Sequence, residues 1–220
     1  MQSTIVNVTN LSKSFGKESV LHNIDFEIHR GDFVAIKGPS GSGKSTLLSI
    51  IGLLENYSSG KVSLFGDDVS TFSEQKKSTF RNKKIGWIFQ NFNLIGDMTI
   101  SDNITLPLKY AKSKNDTKII VSKALENVGL AAKANSYPAQ LSGGQQQRVA
   151  IARALITSPD LILADEPTGS LDSANGEKVM SLLRELNKQG KTVLMITHDD
   201  EIAQQANRII TITDGCVQKQ

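Results

Sequence analysis

The 220-residue chain has a single cysteine, Cys216, which excludes an internal disulfide framework and any cysteine-rich metal site. Such sparing use of cysteine suits a reducing compartment. It also lacks any run of about eighteen apolar residues, so no segment is expected to span a membrane. Met1 to Val6 lack the basic and apolar regions of a secretory leader, and none is expected. Internal repeats, low-complexity stretches and interdomain linkers are missing too. No long block carries one sign of charge: 25 Lys and Arg stand against 22 Asp and Glu, for a formal +3. The densest basic group is Lys76, Lys77, Arg81, Lys83 and Lys84, read either as a solvated face or as a contact for an acidic partner or lipid headgroups. The length suits one α/β domain, or one with an inserted subdomain. A chain of this size buries about 70% of its unfolded surface and needs no covalent staple.

What is present is a phosphate loop. Gly38-Pro39-Ser40-Gly41-Ser42-Gly43-Lys44-Ser45-Thr46 fits G-x-x-x-x-G-K-[ST]. Glycines let the backbone curl so that successive N–H groups point at phosphate oxygens. Lys44 is placed to reach the β- and γ-phosphates and Ser45 to ligate Mg²⁺. Phe33 to Lys37 reads as a buried strand before the loop. Leu47, Leu48, Ile51 and Leu54 fall at helical spacing after it, so a helix N-terminus faces the anion.

Residues 5–28 alternate as strands with a turn near Phe15-Gly16-Lys17. Lys61 to Phe65 and Lys84 to Phe89 read as further strands, and Ser58 to Gly60 as the end of a helical region. From about 91 to 158 the pattern turns helical. Leu161 to Ala164 and Val193 to Thr197 are short continuous apolar runs of the kind buried on both sheet faces. Ile209 to Thr213 is a last strand. Strands alternating with helices predict a mainly parallel sheet with right-handed crossovers.

Leu161 to Ala164 runs into two acids, Asp165 and Glu166. Neighbours on a strand point to opposite faces, so the two should differ in role. Asp165 suits orientation of Mg²⁺ and Glu166 activation of a water as general base. Gln90, at a strand end, is a Mg²⁺ or water ligand or a surface residue. His198, also at a strand end, is a γ-phosphate contact or a structural histidine. Leu141-Ser142-Gly143-Gly144-Gln145 opens a helix with Ser142 as cap. It could hold phosphate by the same N–H and dipole logic as the first loop. One nucleotide needs only one phosphate loop, so a second such end suggests action in trans.

Taken in order, these motifs resemble the nucleotide-binding subunit of an ATP-binding cassette (ABC) transporter over essentially the whole chain. The matching residues are the Walker A loop (Gly38 to Thr46), the Q-loop Gln90, the signature Leu141 to Gln145, Walker B with Asp165 and Glu166, the D-loop Ser170 to Asp172, and the switch His198. Phe15 falls where the family stacks an aromatic, commonly Tyr, on adenine; a core Phe is the other reading. Residues 85–95, 141–155 and 164–172 resemble the macrolide-exporter and lipoprotein-releasing branch, with Ser170 and Asp102 as mild departures.

The resemblance implies an α/β fold: a P-loop NTPase core with a mainly parallel sheet, an N-terminal antiparallel β subdomain and an inserted α-helical subdomain. Residues 1–220 would form one ABC ATPase domain, with the helical part at about 91–158. It implies ATP and Mg²⁺ as ligands, with Ser45, Gln90 and Asp165 on the metal and Glu166, His198 and Lys44 in catalysis. A second copy of the chain would pair head to tail, its Ser142, Gly143, Gly144 and Gln145 closing on ATP held by the first. An integral membrane permease would be driven from the cytoplasmic face of the inner membrane, for export or extraction of a peptide, lipoprotein or drug-like substrate. Gln90 to Leu108 would carry the signal, with Phe92, Leu94, Ile95 and Met98 either docking the permease or packing the helical part. A soluble ABC-type ATPase acting on nucleic acid or ribosomes is the alternative. It would bring coiled-coil or zinc insertions, or two cassettes in one chain, and none is seen; no nucleic acid is expected as partner.

Overall fold

The computed structural model describes residues 3–111 and 116–218. Two long strands, β1 (Thr4–Phe15) and β2 (Glu18–His29), form the expected hairpin about Gly16, whose φ of 58° suits the turn. They join β4 (Ser59–Leu64) and β5 (Asp67–Asp68) in an antiparallel sheet ordered β2-β1-β4-β5. The second sheet is built from β3 (Phe33–Lys37), β6 (Ile85–Ile88), β7 (Leu161–Asp165), β8 (Thr192–Thr197), β9 (Arg208–Thr213) and β10 (Cys216–Val217). Its order is β10-β9-β3-β8-β7-β6, parallel except for β10 against β9.

The central strands β3, β7 and β8 are buried except at their ends, Lys37 and Asp165, and their alternation divides the core. Val34, Ile36, Leu161, Leu163, Leu194 and Ile196 face the antiparallel sheet and helix α1 (Lys44–Ile51). Phe33, Ala35, Ile162, Ala164, Val193 and Met195 face Ile151 and Ala154 on α5 (Gly143–Leu155), and Val179, Met180 and Leu183 on α6 (Ser173–Lys188). Period-2 side-chain placement thus lets one apolar run seal two layers. A third cluster joins α3 (Ile100–Tyr110) and α4 (Thr117–Asn127) to the other side of α5 through Ile104, Val121, Leu125 and Val149. A short α7 (Asp200–Ala203) precedes β9. Among the described residues no helix is long and apolar enough to cross a membrane.

Two local expectations change. Helix α1 stops at Ile51, so Leu54 is 53% exposed instead of continuing the apolar face. The stop lies at Gly52, where a Cβ would sit 1.9 Å from the Trp87 ring. Residues 59–60 begin β4, not the end of a helix. A helix α2 (Glu74–Lys84), with no buried residue, fills the stretch between β5 and β6 to which the sequence pattern assigns no element. Ser73 caps it by accepting from Lys76 N, Glu74 lies in its first turn, and Arg81, Lys83 and Lys84 lie in its last, matching the helix dipole. That basic cluster is largely paired internally: Lys76 with Asp67 at 3.2 Å, Lys77 with Glu74 at 2.8 Å, Lys84 with Asp160 at 2.9 Å. Arg81 donates to the Leu53 carbonyl. These pairings favour the solvated-face reading over a lipid or acidic contact.

Candidate active site

The order β3-β8-β7-β6 places four strand ends side by side, all pointing the same way. Lys37 pairs with Thr197, Asp165 with Ile196 and Ile88 with Ala164. The segments that follow, carrying Gly38, His198, Glu166 and Gln90, therefore open at one edge, where parallel α/β sheets bind ligands. A cleft of about 600 Å³ lies there, lined by Ser40, Gly41, Gly43, Lys44, Ser45, Thr46, Gln90, Asp165, Glu166 and His198 of the predicted residues.

The loop backbone needs its glycines. Gly41 and Gly43 have φ of 79° and 92°, and a Cβ at Gly43 would meet Leu21 Cδ2 at 2.7 Å. A Cβ at Gly38 would fall 1.9 Å from the Ile212 carbonyl oxygen. Gly38, Pro39 and Ser42 do not line the cleft. They hold Lys44 instead, whose Nζ donates to the Gly38 and Pro39 carbonyls at 2.9 and 2.7 Å and lies 3.5 Å from Ser42 Oγ. Burial lowers the Lys44 pKa against the opposing pull of Glu166 and Asp165. A desolvated ammonium of this kind gains most from an added anion.

The two acids differ in backbone rather than in strand face. Asp165 ends β7, but Glu166 has left the strand, at φ 47°, in the left-handed region uncommon for a side-chain-bearing residue. Both carboxylates line the same cleft, which corrects the opposite-face expectation. Ser45 Oγ donates to Asp165 Oδ1 at 3.4 Å. Glu166 Oε1 lies 2.8 Å from His198 Nδ1; the carboxylate accepts, so the Nδ1 proton is fixed and Nε2 is the ring atom left for a ligand.

Burial raises the Asp165 pKa, only partly offset by Ser45 and Lys44. The folded chain thus binds this proton more tightly than the unfolded one. The stabilisation is present at low pH and is lost as pH rises through the raised folded pKa. Asp165→Asn is expected to raise Tm by a few degrees at pH 7, with the gain shrinking as pH falls through the carboxylate range, while impairing Mg²⁺-dependent hydrolysis. Melting curves across pH check the first effect and turnover the second.

The capped end of α5 stands apart. Ser142, Gly143, Gly144 and Gln145 do not line the cleft of their own chain. Ser142 is exposed and caps α5: its Oγ accepts from Gln145 N at 3.4 Å while Gln145 Oε1 accepts from Ser142 N at 3.0 Å. Phe15 is 47% exposed, so it is not a core residue, and it too lies off the cleft lining. Lys13 Nζ sits 4.3 Å from its ring centroid and is anchored by Glu55 and the Asn56 carbonyl.

A family model described as "ABC transporter" matches residues 21–169, which include the phosphate loop, the signature and both acids. The chain belongs to the ABC transporter family. It is 44% identical over 216 residues to the Bacillus subtilis ABC transporter ATP-binding protein YknY, covering 96% of this chain and 94% of that one. It is 46% identical to the macrolide export ATP-binding/permease protein MacB of Mannheimia succiniciproducens, covering 96% of this chain but 34% of MacB. This chain thus spans about a third of that relative. Among solved structures, an ATP-binding cassette dimer in a post-hydrolysis state with ADP and Pi superimposes with TM-score 0.89 at 43% identity, over 98% of this chain and 97% of that one. The fold is accordingly the ABC nucleotide-binding fold, and the chain is an ATP-binding ATPase of that family.

The cassette's cleft suits a hard cation. Ser45 Oγ and Asp165 are oxygen donors already in contact, with Gln90 on the same wall. Among the described residues no cluster of three or more His, Cys, Asp or Glu could form a protein-only metal cage. Few protein ligands beside a phosphate site is the arrangement Mg²⁺ takes. Sequence reading overlooked three residues of the cassette. Val20 lines the cleft from β2, a placement only strand register reveals. Arg153 donates to the carbonyls of Phe92 and Asn93, both at positive φ, and so holds the Q-loop. Gln147, fully buried on α5, donates to the Pro167 carbonyl. Nothing in their spacing marks the last two.

Proposed function

We propose that this chain is the ATPase of a MacB-like exporter, acting as a head-to-tail pair of copies that drives a membrane permease from the cytoplasmic face of the plasma membrane. Residues 1–220 act as one ABC ATPase domain whose helical part runs from about 91 to 158. The observation that carries the reading is the separation, within one chain, of the phosphate loop and the exposed capped end at Ser142. Each copy offers both halves of a nucleotide site without joining them, and a head-to-tail pair joins them twice.

In this reading the N–H groups of the loop residues that line the cleft (Ser40, Gly41 and Gly43 to Thr46) and the Lys44 ammonium bind the phosphates, and Phe15 offers an exposed ring to adenine. Ser142, Gly143, Gly144 and Gln145 of the second copy close on the γ-phosphate. Ser45, Asp165 and Gln90 would hold Mg²⁺, which would supply positive charge to offset that of the phosphates. Glu166 takes the proton of the attacking water, and His198, oriented by Glu166, stabilises charge on the transferred group with Lys44. Loss of the γ-phosphate removes the anion that both copies share. A peptide, lipoprotein or drug-like molecule is the cargo this branch suggests.

Within the Gln90 to Leu108 stretch, the permease seat in this reading is a groove that Asn93, Leu106 and Pro107 help to line, rather than Phe92, Leu94, Ile95 and Met98. Of the apolar residues expected there, Ile95 is exposed, whereas Leu94 packs against the helical core and Phe92 and Met98 are half-buried. A groove of about 480 Å³ runs between α2, β6, α3 and α5. Trp87 and Phe89 stack within it, centroids 5.0 Å apart, and Tyr110 on its rim is 79% exposed. Tyr110→Glu is expected to leave the ATPase activity of the purified chain unchanged and to abolish its co-purification with the permease. Undiminished permease binding by Tyr110→Glu would argue against this seat.

A further inference from the structure

The signature end of α5 and the turn that carries Glu166 are fastened to each other inside one chain. Gln147 lies one helical turn beyond Gly143 and is 0% exposed. Its Nε2 donates to the Pro167 carbonyl at 2.7 Å, and its Oε1 has no hydrogen-bond partner among the described residues. One residue before Pro167, Glu166 is held at φ 47°, its N–H on the Ile196 carbonyl and its own carbonyl accepting from Gly169 N. A following proline further restricts that residue, so the conformation depends on its surroundings to persist. The far end of the same turn is gripped too. A Cβ on Gly144 would lie 2.6 Å from Asn175 Cγ, and Asn175 is bound to Asp172 at 2.7 Å.

Packing alone does not account for Gln147. A buried acceptor without a partner destabilises the fold, and a leucine of similar volume would avoid it. What leucine cannot do is donate to Pro167.

We propose that Gln147 is a positioning residue tying the signature end of α5 to the turn bearing Glu166, so that contact of that helix end with a partner's nucleotide sets the base in the chain's own cleft. This rests on the two-copy reading above. Each copy touches both nucleotides, one through Ser142 and one through Glu166, and Gln147 is the link between them. Binding at one site thereby prepares hydrolysis at the other.

The test compares the purified parent chain with Gln147→Leu and Gln147→Glu, measuring kcat, KM, the Hill coefficient for ATP, and Tm. Gln147→Leu is expected to lower kcat about tenfold with KM moving less than about twofold, since the lost contact acts on the reacting geometry and not on ground-state binding. Its Hill coefficient falls to that of independent sites, while the parent's exceeds it. Gln147→Glu can donate to Pro167 only when protonated, so its kcat relative to Gln147→Leu rises as pH falls. Parental kcat and cooperativity in Gln147→Leu overturn the inference alone. So does a lower Tm with KM raised in step, which marks a packing role. A parent that turns over without cooperativity and forms no ATP-dependent dimer overturns the two-copy reading and this inference together.

Discussion

Glu166→Gln keeps ATP binding and lowers turnover by about 10²–10⁴-fold, the usual worth of a positioned general base. The amide has the shape of the carboxylate, and its oxygen still accepts from His198 Nδ1, which lies 2.8 Å from Oε1 in the parent. The left-handed backbone at Glu166 and its bonds to Ile196 and Gly169 are untouched. Binding is carried by the loop N–H groups and Lys44, which the substitution does not reach. Only basicity is lost. With the γ-phosphate no longer removed, the shared anion persists and the paired form accumulates. Size-exclusion chromatography should show a dimer with ATP and a monomer with ADP for Glu166→Gln. Turnover within about threefold of the parent would remove Glu166 from the role of base.

The second large effect is complementation. Ser142→Arg puts a bulky side chain on the exposed cap of α5, and Lys44→Ala removes the buried ammonium of the phosphate loop. Each variant alone is expected to be nearly inactive, because in a symmetric pair the lesion recurs at both sites. When the two are mixed, a heterodimer gathers both lesions into one composite site and leaves the other intact. Random pairing makes half the dimers mixed, so roughly a quarter of the parental activity returns if sites act independently. If each chain used its own signature, both sites of the mixed dimer would be damaged and nothing would return. A mixture as silent as its components, with dimers shown to form and no coupling between sites required, would therefore argue against sharing in trans. Coupling through Gln147 predicts recovery below that quarter, and Gln147→Leu in both chains should separate the two contributions.

Much of the site was readable because its chemistry is local. A phosphate loop needs glycines and a lysine at fixed offsets from one another, and Gly38 to Thr46 has them within nine residues. The buried strands were readable because β7 and β8 are apolar on both faces, which few loops tolerate. Helix α2 was not, since it buries nothing and its signals are a cap and a charge gradient rather than a period. β10 was missed because two residues carry no alternation. The roles of Asp165 and Glu166 were assigned for a strand that continues, whereas the chain turns at Glu166.

By itself the sequence determined which chemistry is present: a nucleotide loop, paired acids and a second capped helix end, in the order of an ABC ATPase. Each is a short-range pattern, complete within a few turns or one strand. Only the tertiary structure decided which of them meet. The strand order β3-β8-β7-β6 brings Lys44, His198, Glu166 and Gln90 to one edge although 154 positions separate Lys44 from His198 in the chain. The same packing leaves Ser142 outside that cleft and binds Gln147 to Pro167. Spacing along a chain carries no record of crossover order, because burial of the apolar faces selects it, and that selection sets the phosphate loop and the capped end of α5 on separate surfaces.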